Sequence, residues 1–125
     1  MSVRVLVVED EFMVGLDISQ QLTNAGFEVV GLATSVARAL RLIAQSGCDA
    51  AVLDVNLGGE TCEPVALKLR ASGTPFVVLT GYSADNLLSS FGDAPILRKP
   101  PRTDDLLAAL RGCFDVELKQ HANGS

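Results

Sequence analysis

The chain of 125 residues reads as one α/β domain with helices on both faces of a parallel sheet. Three observations predict this. Five short apolar runs recur along the sequence. Most are close to continuously apolar, the pattern of strands covered on both faces. The stretches between them carry helical periodicity and close on glycines.

The expected strands are VRVLVVE (3–9), EVVGLA (28–33), AAVLD (50–54), PFVVLT (75–80) and APILR (94–98). After the first, Val14, Ile18, Leu22 and Ala25 share one helical face. After the second, Val36, Leu40 and Ile43 do the same, and Leu106, Leu107, Leu110 and Phe114 form the last such face. Gly26, Gly47 and Gly73 each follow a final turn, where a left-handed residue is common. Thr103 reads as an N-cap before the acidic first turn of Asp104 and Asp105. The segment 83–91 is polar and short, with the weakest helical pattern of the chain.

Strands that alternate with helices imply a parallel sheet with right-handed crossovers. The expected order is the doubly wound 2-1-3-4-5, with the site at the carboxyl ends of the strands beside the switch point. No repeat, linker or low-complexity segment divides the chain. The domain is expected over 1–120, with 121–125 (HANGS) as a flexible tail.

Composition narrows the function. Apolar residues make up 48% and charged residues 20%, a globular balance. With one Tyr, five Phe and no Trp, the core must be mostly Val, Leu, Ile and Ala. A net charge of −5 without any basic run argues against nucleic acid, whose binding draws on Lys and Arg. Cys48, Cys62 and Cys113 are odd in number and lack metal-ligand spacing, so free thiols in a reducing compartment are expected. The apolar run in MSVRVLVVEDE is too short for a signal peptide, and Glu9 and Asp10 interrupt it. No run reaches the roughly 18 apolar residues of a membrane span. The expected location is the cytoplasm.

Polar residues gather at one edge of this scheme. The first strand ends in Glu9-Asp10-Glu11, the third in Asp54, the fourth in Thr80, and the fifth in Lys99, followed by Pro100 and Pro101. Parallel strands place all these ends on one side. Two like charges about 4 Å apart repel by about 4 kcal/mol at an effective dielectric near 20. Lys99 offsets part of that, and a divalent cation offsets more. An all-oxygen ligand set suits Mg²⁺ or Mn²⁺. Asp10, Asp54 and a backbone carbonyl near Asn56 would bind it, with Glu9 acting through a water. A metal, a carboxylate, a hydroxyl and a lysine together suit phosphoryl transfer, which relies on positioning and charge neutralisation. Asp54 would be the nucleophile and form an aspartyl phosphate, held by Lys99 and Thr80.

Each residue alone has a plainer role. Glu9, Asp10 and Glu11 suit a solvated helix start. Asp54, Thr80 and Lys99 suit ordinary strand ends. Their joint placement on four strand ends of one sheet is what favours chemistry.

The motifs VLVVEDE, VLDVNLGG, VVLTGY and LRKPP resemble the receiver domain of two-component response regulators, over about residues 3–118. That family has a flavodoxin-like sheet of order 2-1-3-4-5, so the resemblance implies the same order. It further implies Asp54 as phosphoacceptor and Glu9 and Asp10 as holders of Mg²⁺. Asn56 would supply its backbone carbonyl to the metal, and Lys99-Pro100 would be a cis peptide. The phosphoryl group would come from a sensor histidine kinase or a histidine phosphotransfer protein. The domain would catalyse only its own phosphorylation and dephosphorylation.

Some positions depart from the common receiver pattern. The residue three before the lysine is usually aromatic and rotates as a switch; here it is Ile96. Tyr82 is expected to take over part of that role. The run Pro75-Phe76-Val77-Val78-Leu79-Thr80-Gly81 is similar to the receiver subgroup nicknamed FAT GUY, as is LDVNLGGE, although Val78 and Leu79 differ. That subgroup often has a short or irregular fourth helix. Gly81 would loosen the following loop.

Two other functions compete. A haloacid-dehalogenase-type phosphatase needs a second aspartate as general acid, but the pair here is Asp54 and Asn56, and an amide cannot protonate a leaving group. A degenerate receiver would bind a partner without phosphate, against which the full residue set speaks. The chain stops after its last helix, so output is expected through a downstream protein, or as a phosphate shuttle or sink. The form would be a monomer or a phosphorylation-dependent dimer.

Overall fold

The structure is a computed structural model and describes residues 2–81 and 91–123. Its elements are β1 (Arg4–Val8), α1 (Phe12–Asn24), β2 (Glu28–Ala33), α2 (Val36–Ser46), β3 (Ala50–Asp54), β4 (Asn56–Leu57), β5 (Glu60–Thr61), α3 (Glu63–Ala71), β6 (Phe76–Thr80), β7 (Ile96–Arg98) and α4 (Thr103–Asn123). The main sheet has five strands in the order β2-β1-β3-β6-β7. All its pairings are parallel. This is the predicted doubly wound order, with β6 and β7 as the fourth and fifth strands.

The strands alternate between two cores, as the period of two requires. Leu6, Val8, Leu53 and Val78 pack with Ala39 of α2 and with Val65, Ala66 and Leu69 of α3. Val5, Val7, Val52, Val77 and Leu79 pack with Ile18 and Leu22 of α1 and with Leu106 and Leu110 of α4. The continuous apolar runs of β1, β3 and β6 are explained by these two covered faces. Helix α1 lies close on β2. A Cβ added at Gly15 would stand 2.5 Å from a methyl of Leu32, so that side chain would have to shift to admit one.

Other local expectations meet the structure unevenly. Gly26, Gly47 and Gly73 all have positive φ, at 95°, 66° and 70°. The Lys99-Pro100 peptide is cis. Thr103 is not a cap: it is the first residue of α4. Its hydroxyl donates 2.9 Å to Oε1 of Gln21, tying α4 to α1 instead. Helix α4 runs on to Asn123, into the segment expected as a tail. Tyr82 and residues 83–90, including most of the weak helical segment, lie outside the described residues. Among the described residues, no helix is long and apolar enough to cross a membrane.

Sequence reasoning missed the antiparallel pair β4–β5. Asn56 pairs with Thr61 and Leu57 with Glu60. The turn is Gly58-Gly59, at φ 59° and 97°. Two consecutive left-handed residues form the tight hairpin turn that favours Gly-Gly. That dipeptide, with an apolar neighbour, was the available signal.

Candidate functional site

Backbone ladders deliver the polar residues to one rim. At the end of β1, the Glu9 amide donates to the Ala33 carbonyl at 3.0 Å. After β3, the Val55 amide donates to Leu79 at 3.0 Å. After β7, the Lys99 amide donates to the Thr80 carbonyl at 2.9 Å. Each bond extends a strand pairing by one step, so Glu9, Asp54, Thr80 and Lys99 stand side by side at the carboxyl ends. Three of them, Glu9, Asp54 and Thr80, are the buried polar residues of the described chain.

Lys99 lies between the two buried carboxylates. Its Nζ is 2.8 Å from Glu9 Oε1 and 3.0 Å from Asp54 Oδ2. The ammonium hydrogen-bonds to Asp54 and forms a short ion pair with Glu9. The other Asp54 oxygen, Oδ1, accepts the Asn56 amide at 3.3 Å. Glu9 Oε2 accepts the Glu11 amide at 3.3 Å.

The electrostatics follow from this crowding. Burial, then the neighbouring Asp54 and Asp10 carboxyls, raise the Glu9 pKa to about 8 against the pull of Lys99. Burial would also raise Asp10, yet hydrogen bonds with Glu9 and Asp54 and the charge of Lys99 bring it below its usual value. Burial disfavours the Lys99 charge, but the hydrogen bonds and charges of Glu9 and Asp54 outweigh it and raise its pKa. Without a cation, the rim is held together by one ammonium shared between two acids.

A cavity of about 590 Å³ opens above the rim, lined by Asp10, Asp54, Asn56, Thr80, Gly81 and Lys99 among others. Glu9 is fully buried next to it. Glu9, Asp10 and Asp54 each offer an oxygen within 4.8 Å of the other two. A hard divalent cation fits this donor set: it is all carboxylate, and a single ammonium serves two of its acids. Gly58 also edges the site, since a Cβ there would lie 3.7 Å from Asp10 Oδ2.

The remaining predicted positions are less central. Among the described residues, a Cβ at Gly81 would meet nothing within 4 Å, and its φ is not positive. Ile96 pairs with Val78 and is 38% exposed on the edge strand, away from the carboxylates at the far end of the short strand. Pro100 follows the lysine through the cis bond. Sequence reasoning overlooked the hairpin residue Gly58 as part of the pocket wall.

Comparison with known proteins gives the family and supports the fold. The profile of a family described as response regulator receiver domain matches residues 5–111. The chain is 40% identical to SdrG from Sphingomonas melonis Fr1, whose solution structure it superposes on with a TM-score of 0.79, over 90% of this chain and 97% of that one. It is 42% identical to a BeF3-activated conformation of SdrG, from Pseudomonas melonis Fr1, with a TM-score of 0.72 over 88% of this chain and 98% of that one. Among curated relatives, it is 32% identical over 114 residues to the transcriptional regulatory protein PdtaR of Mycobacterium tuberculosis (strain ATCC 25618 / H37Rv), covering 86% of this chain. The chain spans about half the length of that relative, 54%.

Proposed function

Because the chain belongs to the response regulator receiver domain family, we propose that Asp54 accepts a phosphoryl group from a phosphohistidine and that the aspartyl phosphate then changes which protein the domain binds. The observation that carries this reading is the sharing of Lys99 by the buried Glu9 and Asp54 at the carboxyl ends of the sheet. A structural ion pair needs one acid per base. Here an acid is in surplus, where a phosphoryl group would bring further negative charge and a cation would offset it.

In the transfer, one Asp54 oxygen bonds to phosphorus as the bond from phosphorus to the donor imidazole nitrogen breaks. The electron pair of that bond returns to the ring. Lys99, already against Asp54 Oδ2, neutralises charge on the moving group, and Thr80 donates a hydrogen bond to one of its oxygens. The Asn56 amide on Oδ1 keeps the carboxylate oriented. Glu9, Asp10, Asp54 and the Asn56 carbonyl would hold Mg²⁺ or Mn²⁺, which supplies charge neutralisation to the phosphoryl oxygens. Water attack on the acyl phosphate returns Asp54 and releases phosphate.

A protein donor, a sensor kinase or a histidine phosphotransfer protein, suits the surroundings. Phe12, Met13 and Leu16 expose apolar surface on the first turns of α1, immediately after the acidic residues. The acquired charge, about −1.5 to −2, would draw Thr80 toward Asp54 and bias the surface that a downstream protein reads.

Intact mass after incubation with a small phosphodonor tests the chemistry. The expected result is a Mg²⁺-dependent gain of one phosphoryl group that Asp54→Ala abolishes. A gain that survives in Asp54→Ala would overturn the assignment.

A further inference from the structure

The hairpin β4–β5 carries Asn56 and edges the acidic pocket, yet neither strand belongs to the main sheet. Something else must set its position. Two backbone anchors hold its base: the Cys62 amide donates to the Val55 carbonyl at 3.0 Å, and the Asn56 amide donates to Asp54. Leu57 is buried and fastens one side into the core. On the other side, Glu60 Oε1 accepts the amide of Val36 at 3.1 Å.

Val36 is the first residue of α2, and its N-cap Ser35 accepts the Arg38 amide at 3.2 Å. The first amides of a helix have no partner within it. Two side chains therefore serve this helix start, one from its own cap and one from a different part of the fold. The positive end of the helix also favours a carboxylate there. Glu60 is exposed, so solvation alone would satisfy it; the contact spans 24 residues and joins the hairpin to α2.

We propose that Glu60 is a positioning residue for the cation site: its bond to the Val36 amide clamps the hairpin on α2 and so holds Asn56 and Gly58 at the distances from Asp54 and Asp10 that a divalent cation needs. This rests on the reading of the rim as a cation-dependent phosphoacceptor site. It assigns Glu60 no contact with the metal or the phosphoryl group.

The test is Mg²⁺ affinity by calorimetric titration of the full chain, alongside the melting temperature. Glu60→Ala is expected to weaken Mg²⁺ binding about tenfold, the low end for residues that support metal ligands. Glu60→Gln keeps an acceptor oxygen and is expected to recover most of that loss. Ser35→Ala removes the other bond at the same helix start without touching the hairpin. It is expected to lower the melting temperature as Glu60→Ala does, while its Mg²⁺ affinity stays within twofold of wild type. Equal weakening by Ser35→Ala and Glu60→Ala, or unchanged affinity in Glu60→Ala, would overturn the proposal and leave Glu60 a helix cap only. Failure of the wild-type chain to bind Mg²⁺ would instead overturn the cation-site reading, and the Glu60 role with it.

Discussion

Leu53 and Asp54 are consecutive residues of β3, and both are buried. Leu53 lies in an apolar core against β1, β6 and the helices of one face. Asp54 lies one step further along, where the core gives way to Glu9, Thr80 and Lys99. Equal burial has opposite meaning in the two places. For Leu53 it removes apolar surface from water and stabilises the fold. For Asp54 it places a charge near a second acid in a medium that solvates charge poorly, which costs stability; under the proposed function, a cation or a phosphoryl group acts on that cost. The difference teaches that the sheet body supplies the stability that offsets the cost of crowding charge at its rim.

Paired substitutions on this strand make the sharpest break. Leu53→Ala leaves a cavity and is expected to lower unfolding free energy by about 3 kcal/mol, with phosphoryl acceptance intact wherever the protein is folded. Asp54→Asn keeps shape and removes one acid from the rim. In metal-free protein it is expected to gain about 1 kcal/mol and to lose acceptance completely. Urea unfolding followed with intact mass reads both. Two losses of similar size would abolish the contrast.

Lys99→Ala acts on the rim alone. Phosphorylation by a small donor is expected to slow about 100-fold, as when one donor to a developing charge is removed. Rates measured at saturating Mg²⁺ separate this from weaker metal binding. A rate within threefold of wild type would assign Lys99 to structure only.

The pH dependence of the metal-free protein isolates Glu9. Its pKa in the folded state, about 8, lies above its ordinary 4.5. Between those values the fold holds a proton that the unfolded chain has released. Stability from this group is therefore present below about pH 4.5, falls as pH rises through the window, and levels above about 8. Asp10, with its lowered pKa, acts in the other direction, and only in acid near its ordinary 3.8. Saturating Mg²⁺ binds the ionised form, so its stabilising effect is expected to grow between about pH 5 and 8. Melting curves across that range, with and without Mg²⁺, would show a constant Mg²⁺ effect if Glu9 were already ionised throughout.

The smallest effect belongs to the exposed surface. Glu28 pairs with Arg4 at 3.3 Å, with side chains 60% and 37% exposed. Glu28→Ala is expected to change stability by less than about 1 kcal/mol, and salt to erase the change. A larger loss in urea unfolding would mean that charge pairs outside the rim also carry the fold.

The sequence alone determined the sheet and which polar residues gather at its edge. Unbroken apolar runs such as AAVLD require two covered faces, and a parallel sheet must bring the ends of its strands to one edge. Glu9, Asp10, Asp54, Thr80 and Lys99 could therefore be grouped from their positions in the runs. The tertiary structure decided who touches whom at that edge. Lys99 meets Glu9 and Asp54, Thr103 turns to Gln21 rather than to its own helix, and Glu60 reaches Val36 across the top of the sheet. Periodicity is local and survives in a short window of residues. A side-chain contact between distant segments depends on where the whole backbone has placed both partners, and no window of the sequence contains that.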